Sequence, residues 1–428
     1  MAHSFYIHSE SGDGNFLAYR LKREGHRVKV FIHDKKARHV GKGLIDVDST
    51  FRPAKGDVVI FDMVKYGKLA DQVKAAGYKV IGGSRFGDMH ELDRPLGHRL
   101  MRQVQIAVPP TKTYTLAEAR AFLQTADKPY FLKPSGNMDS AMTYGAKTPK
   151  GMLRFLDYAQ AKEGLKGKFE LQEKVDGIEI STEGWFDGDR WVLPFNSTVE
   201  DKKFMPGNYG PNTGCMGNVV WTYASSRPIL ALRTIMRLEP ILRAARYVGP
   251  VDINTIIDKK GTVWGIEWTF RFGYAALQAL LLMTAGDLGE QLYQFANGQL
   301  DRFETTTSEL GMVMNVSVPP YPTYHVAHEK AGLPLDPGIL ADPVRIMPAD
   351  VFVQNNIPKL AGVDGLVIAI GDVGKDVNTM RRSLIDRVDE FEIPDAQIKN
   401  DLCERYYDVI GELARLGYEL PMMGEGNV

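Results

Sequence analysis

Short apolar runs alternate with helical segments at the start of this chain, and that alternation narrows its fold more than any other feature. Phe5-Tyr6-Ile7-His8 reads as a buried strand and Ser9 to Gly14 as a glycine-bearing turn. Asn15 to Glu24 reads as a helix with Phe16, Leu17 and Leu21 on one face, and Arg27 to Ile32 as a second strand after Gly25. Val58 to Phe61 is another strand, Lys68 to Ala76 a helix ending at Gly77, and Lys79-Val80-Ile81 a strand leading into Gly82-Gly83. Strand–helix–strand units of this kind predict a doubly wound α/β opening. A lone glycine turn after the first strand is weak evidence for a nucleotide. SGDG is not G-x-G-x-x-G, which sets aside an NAD dehydrogenase.

At 428 residues the chain exceeds one core, so two to four domains are expected. Its formal net charge of −1 offers no basic field for nucleic acid. No apolar run approaches the roughly 20 residues that span a bilayer, so no membrane partner is expected. The N-terminal MAHSFYIHSESGDGN lacks the basic and apolar blocks of a signal peptide. Cys215 and Cys403 give neither a disulfide framework nor a zinc spacing. A cytoplasmic protein, monomeric or dimeric, fits these features.

Tyr247 to Gln278 reads as two apolar strands reversing at Asp258-Lys259-Lys260-Gly261, with Asp252 and Glu267 near their ends and Arg271 beyond. Two acidic oxygens converging beside an arginine suit a magnesium ion that also holds phosphates. For an isolated Asp/Glu pair the alternative is ordinary solvated surface charge. Upstream, Thr115 marks the start of an amphipathic helix to residue 126. Tyr130-Phe131-Leu132-Lys133 is an apolar strand whose terminal lysine, beside Ser135-Gly136, can reach a phosphate. Phe169 to Ser181 reads as strand, turn, strand; Trp185 to Phe195 is a hairpin turning at Asp187-Gly188-Asp189. Gly210 to Gly217 (GPNTGCMG) reads as a glycine-dense loop, and Ser226 to Tyr247 as one long helix.

The run E-W-T-F-R-F-G-Y-A-A-L-Q (Glu267 to Gln278) resembles the E-x-N-x-R-F-G-D-P-E-x-Q segment of phosphoribosylamine–glycine ligases, members of the ATP-grasp superfamily, and GPNTGCMG resembles their GPNTGGMG. Glu91 to Met101 and Phe169 to Ser181 also resemble segments of that family, whose pattern covers nearly the whole chain. The resemblance implies an ATP-grasp fold preceded by a Rossmann-like domain and followed by a small α+β domain. The implied boundaries are 1–108, 109–312 with a mobile lid at about 112–182, and 313–428. It implies ATP and Mg²⁺, or Mn²⁺ in its place, with Arg94 and Lys133 at the phosphates. Val175 would offer its backbone to the adenine edge, and Glu173 and Glu179 their carboxylates to the ribose. Asp252, Glu267 and Thr269 would hold the metal. Arg271 would bind the acylphosphate or a substrate carboxylate, and Asn212, Thr213 and Gly214 would line the acceptor side.

Three departures bear on the substrate. Thr269 replaces the family's metal-binding asparagine, Asp13 stands where its first turn carries arginine, and Tyr274-Ala275-Ala276 replaces D-P-E. The phosphate loop PSGNMDSAMTYGA keeps only Gly136 and Gly145 of the family's glycines. Fold does not carry substrate with it. The expected activity is an ATP-dependent carboxylate–amine ligase forming an amide through an acylphosphate. The alternatives are a diverged ligase joining another amino acid to a different amine, and a non-catalytic ATP-binding protein. The partners are small-molecule amino acids and amines.

Overall fold

The computed structural model describes residues 1–133, 143–161, 167–273, 275–323 and 329–421. It divides into two compact units. The first comprises Met1–Asp88, Ile180–Ile253 and Thr269–Val428, the second Met89–Glu179 and Asn254–Trp268.

In chain order the strands begin with β1 (Ser4–Ser9), β2 (Arg27–Ile32), β3 (Asp46–Asp48), β4 (Val58–Phe61) and β5 (Lys79–Ile81). There follow β6 (Thr111–Thr115), β7 (Tyr130–Lys133), β8 (Tyr144–Gly145), β9 (Lys168–Glu173) and β10 (Gly177–Phe186). Next come β11 (Trp191–Met205), β12 (Tyr209–Thr222), β13 (Gly249–Asp258), β14 (Val263–Thr269) and β15 (Leu310–Ser317). The last are β16 (Ile346–Pro348), β17 (Val351–Gln354), β18 (Ile357–Leu360) and β19 (Leu366–Gly374).

The first unit opens with a parallel sheet in the order β3-β2-β1-β4-β5. Its central strands are buried along their length, which is why they read as continuous apolar runs rather than alternating ones. Helix Asn15–Arg23 buries Phe16, Leu17, Ala18 and Leu21, the stripe expected from its spacing. The phenylalanine and the two leucines each contribute about 1.5–3 kcal/mol relative to exposure. Because β1 lies between β2 and β4, the carboxyl ends of β1 and β4 flank a crevice where the chain departs to opposite sides. The same unit holds an antiparallel array in which β10, β11, β12, β15, β19 and β16 follow one another. Trp185 meets the edges of Phe272, Phe295 and Phe303 in its core.

The second unit contains an antiparallel sheet in the order β6-β9-β7-β8. Leu132, Phe169 and Leu171 from this sheet pack with Ala119, Leu123, Met152 and Leu156 of helices Leu116–Thr125 and Pro149–Ala161. Thr115 caps the first of these helices reciprocally. Its hydroxyl accepts from the Glu118 amide at 3.4 Å, and its own amide donates to Glu118 Oε2 at 2.7 Å. The β13–β14 reversal lies where the sequence places it, with Asp258 N–H donating to Thr262 O and Gly261 N–H to Asp258 O. Gly177 permits the start of β10 to approach β13, since a Cβ there would sit 2.1 Å from Ile257 O.

Two expectations are corrected. GPNTGCMG is not a loop; it belongs to strand β12, whose register pairs Asn212 with Lys203 and Gly217 with Met314. The adjacent strand β11 and the remote strand β15 hold this glycine-rich stretch extended. Nor is Ser226 to Tyr247 one helix, because it breaks into helix Ile229–Arg233, a 3₁₀ turn at Ile235–Leu238 and helix Glu239–Ala245. Thr234 turns its hydroxyl back to Leu230 O at 2.6 Å with a non-helical backbone, and Pro240 suits the first turn of a new helix. No helix among the described residues is long and apolar enough to cross a membrane.

Candidate active site

In the second unit, Lys133 ends β7 directly opposite Glu170 of β9, and both side chains are buried. Burial raises the Glu170 carboxyl above its ordinary range, while the charges of Arg94 and Lys133 pull it back. The same two cations, with Arg102, bear on buried His98, whose Nε2 lies 3.2 Å from Ile266 O. Burial chiefly, and those charges in addition, push His98 down to about 4, so the ring is neutral at pH 7. Arg94 opens helix Arg94–Gln103 behind the Asp93 cap, which accepts from Leu96 N–H at 2.9 Å. The positive end of the helix dipole therefore adds to the guanidinium. The fold thus brings Arg94 and Lys133 into one electropositive cluster, a chemistry suited to phosphate oxygens. Glu170, His98 and Arg102 belong to it and were missed from sequence. The loop residues Pro134 to Met142 lie outside the described residues.

Glu173 is engaged by Lys128 Nζ at 2.5 Å, and exposed Glu179 accepts from Asn254 Nδ2 at 3.1 Å. Val175 occupies the turn joining β9 to β10. Glu267 is exposed on β14, next to Trp268, which is buried and donates to Gly97 O at 3.1 Å.

The remaining candidates belong to the first unit. Asp252 stands on β13 between buried Val251 and Ile253, and Thr269 ends β14 before buried Phe270. Asn212, Thr213 and Gly214 lie on the outer part of β12, where the Thr213 hydroxyl donates to Lys202 O at 2.9 Å. Cys215 is buried with its thiol pushed up by burial, the state of an inert core cysteine. Arg271 carries more information than its motif suggested. It lies within electrostatic reach of Asp13 and Asp62, two carboxylates at the β1/β4 crevice. Asp62 is pushed up to about 8, by burial first and by the neighbouring Asp13 charge second. Asp13 accepts from Ser11 Oγ at 2.6 Å and is itself raised by burial. An acid directly after the apolar strand Val58–Phe61 was the available signal for Asp62.

Among the described residues, the side chains grouped as a metal site would require are Glu24, His26 and Asp287. They have structural partners: Asp287 caps helix Leu288–Ala296 and binds His26 at 2.7 Å, while Glu24 accepts from the Gly289 amide.

No family model matches the chain. It is 25% identical, in an alignment 295 positions long that covers 63% of this chain, to a phosphoribosylamine–glycine ligase of Salmonella typhimurium, and the match spans 65% of that relative, less than two thirds. The structure of a phosphoribosylamine–glycine ligase from Thermotoga maritima aligns with a TM-score of 0.69 at 16% identity, covering 93% of this chain and 99% of that one. The chain has an ATP-grasp fold. A second ATP-grasp neighbour is the biotin carboxylase domain of Hydrogenobacter thermophilus 2-oxoglutarate carboxylase. It has a TM-score of 0.62 at 11% identity, covering 98% of this chain and 100% of that one, and was solved with MgADP, ADP and bicarbonate.

Proposed function

We propose that this ATP-grasp protein is an ATP-dependent ligase joining a carboxylate to an amine. The carboxylate attacks the γ-phosphate of ATP, giving an acylphosphate and ADP, and the amine displaces phosphate to leave an amide. The observation that carries this reading is the electropositive cluster of Arg94 and buried Lys133 at the end of β7. Its two cations would hold and align the phosphates, the main task in phosphoryl transfer. Val175 would present backbone groups to the adenine, and Glu173 and Glu179 would accept from ribose hydroxyls. Asp252, Glu267 and Thr269 are assigned to Mg²⁺ by the resemblance, and their donors are all oxygens, as a hard cation requires. When bound, the metal supplies charge neutralisation at the phosphates. Arg271 would hold the substrate carboxylate, and Asn212, Thr213 and Gly214 would line the acceptor side.

The test is phosphate release from MgATP by the purified chain against a panel of amino acids and amines, with mass spectrometry of the products. Glycine and phosphoribosylamine belong in the panel, since they are the substrates named for the relatives. An amide product with any pair supports the ligase. ATP binding without turnover for every pair favours a binding protein.

A further inference from the structure

The crevice at the carboxyl ends of β1 and β4 has features that the ligase reading leaves unused. Asp13, Gly14 and Asp62 line it together with apolar Phe16, Leu17, Phe272 and Leu277, and its free space of about 270 Å³ is in part open to solvent. The space within is narrow enough to admit only a small terminal group of a substrate. Asp62 is only 5% exposed, and neither of its carboxylate oxygens is in a well-formed hydrogen bond. A buried carboxylate left this way is costly unless a partner arrives. Gly14 keeps the approach open, because a Cβ there would sit 2.7 Å from Asp62 Oδ2. Asn15, fully buried at the start of the following helix, likewise has both side-chain polar atoms without a partner.

The crevice is rich in acids, and burial raises Asp13, Asp62, Asp364 and Glu183, so that Asp62 keeps its proton at pH 7. Asp13 acts on both Asp62 and Asp364, and Asp364 also feels Asp350. Glu183 approaches from β10, 3.6 Å from where a Cβ of Gly273 would stand. Arg271 is the cation bearing on Asp13 and Asp62. Like charges sharing a site resist ionising together, and that resistance keeps protons on these acids. A cation relieves it.

We propose that this crevice receives the positively charged end of a phosphate-free amine substrate, an ammonium or guanidinium group of a small polyamine or basic amino acid, between Asp13 and Asp62. Its place in catalysis rests on the ligase reading, whereas the binding itself needs no ATP. The ionisable groups lining the crevice, Asp13 and Asp62, are acids, and Asp13 occupies the position where the resembling family carries arginine. Cation entry also draws the shared protons off Asp62 and its neighbours.

Isothermal titration of the full chain with putrescine, L-ornithine and ribose 5-phosphate tests this. At least one of the two amines is expected to bind at pH 7 with proton release, seen as a buffer-dependent heat, and ribose 5-phosphate is expected not to bind. Asp62→Asn should weaken amine binding at least tenfold, and Asp13→Asn, at a partly exposed position, serves if the first variant does not fold. Binding of ribose 5-phosphate in preference to both amines overturns the proposal, as do failure of both amines to bind and amine affinity unchanged in both variants. Loss of amine binding with MgATP-dependent ligation intact refutes this proposal alone. Amine binding with no ligation for any pair refutes the ligase reading alone.

Discussion

Replacing Asp62 with asparagine should change how stability depends on pH, and the structure gives the size and sign. Burial, with the Asp13 charge beside it, raises this carboxyl from 3.8 to about 8, while the Ser9 hydroxyl, the Gly14 amide and Arg271 offset only part. The folded chain therefore keeps a proton that the unfolded chain has released. Its contribution to stability is complete below the unfolded value near pH 4 and is lost as pH rises towards 8. Asparagine has the same shape and no ionisation, so the variant lacks this decline. The stability difference between variant and parent should grow by about 1.4 kcal/mol per pH unit, to an upper limit of ~4 kcal/mol between pH 5 and 8. Relaxation and water entry reduce that, leaving an expected gain of about 2 kcal/mol or more. Glu183 and Asp364, each raised to about 7 by burial first, have the same sign and steepen the parent's own curve. Urea unfolding followed by tryptophan fluorescence at several pH values from 5 to 8 measures the difference. Parallel curves for the two proteins would refute the reasoning, because Asp62 would then ionise normally in the fold.

Other outcomes follow from the second unit. Lys133→Met should raise the KM for ATP or lower kcat/KM roughly 10- to 100-fold, the size of a lost charge-assisted hydrogen bond, as read by steady-state phosphate release. Leu132→Ala, at a fully buried position of that unit's core, should lower stability by about 2–5 kcal/mol in denaturant unfolding. Gly177→Ala should destabilise by roughly 2 kcal/mol or more, since its Cβ would collide with the Ile257 carbonyl, and its unfolding midpoint should fall relative to the parent.

Local signals made much of the fold legible. Buried runs such as Val58–Phe61 have the pattern of a strand covered on both faces, and Thr115 with Glu118 announces a helix start. The reversal at Asp258 to Gly261 follows from turn chemistry. What sequence did not disclose depends on pairings and bonds that residue type alone does not specify. GPNTGCMG is extended because β11 and β15 pair with it, and glycine content alone cannot distinguish that from a loop. At the Thr234 break a back-bonded hydroxyl, a non-helical backbone and Pro240 at the start of the next helix coincide. At the site, Lys133 was legible as a charged residue ending an apolar strand, but Glu170 opposite it required the β7–β9 register. Asp13 and Asp62 become neighbours only once β1 and β4 lie side by side. Their buried charge is a product of topology.

The ligase reading requires the substrate's carboxylate to take up the γ-phosphate of ATP, and oxygen transfer tests that directly. The chain is incubated with MgATP, an amine and an acid whose carboxylate carries ¹⁸O, and the released phosphate is analysed by mass spectrometry. An acylphosphate route predicts one labelled oxygen per phosphate in step with amide formed. Amide formed with unlabelled phosphate would contradict it.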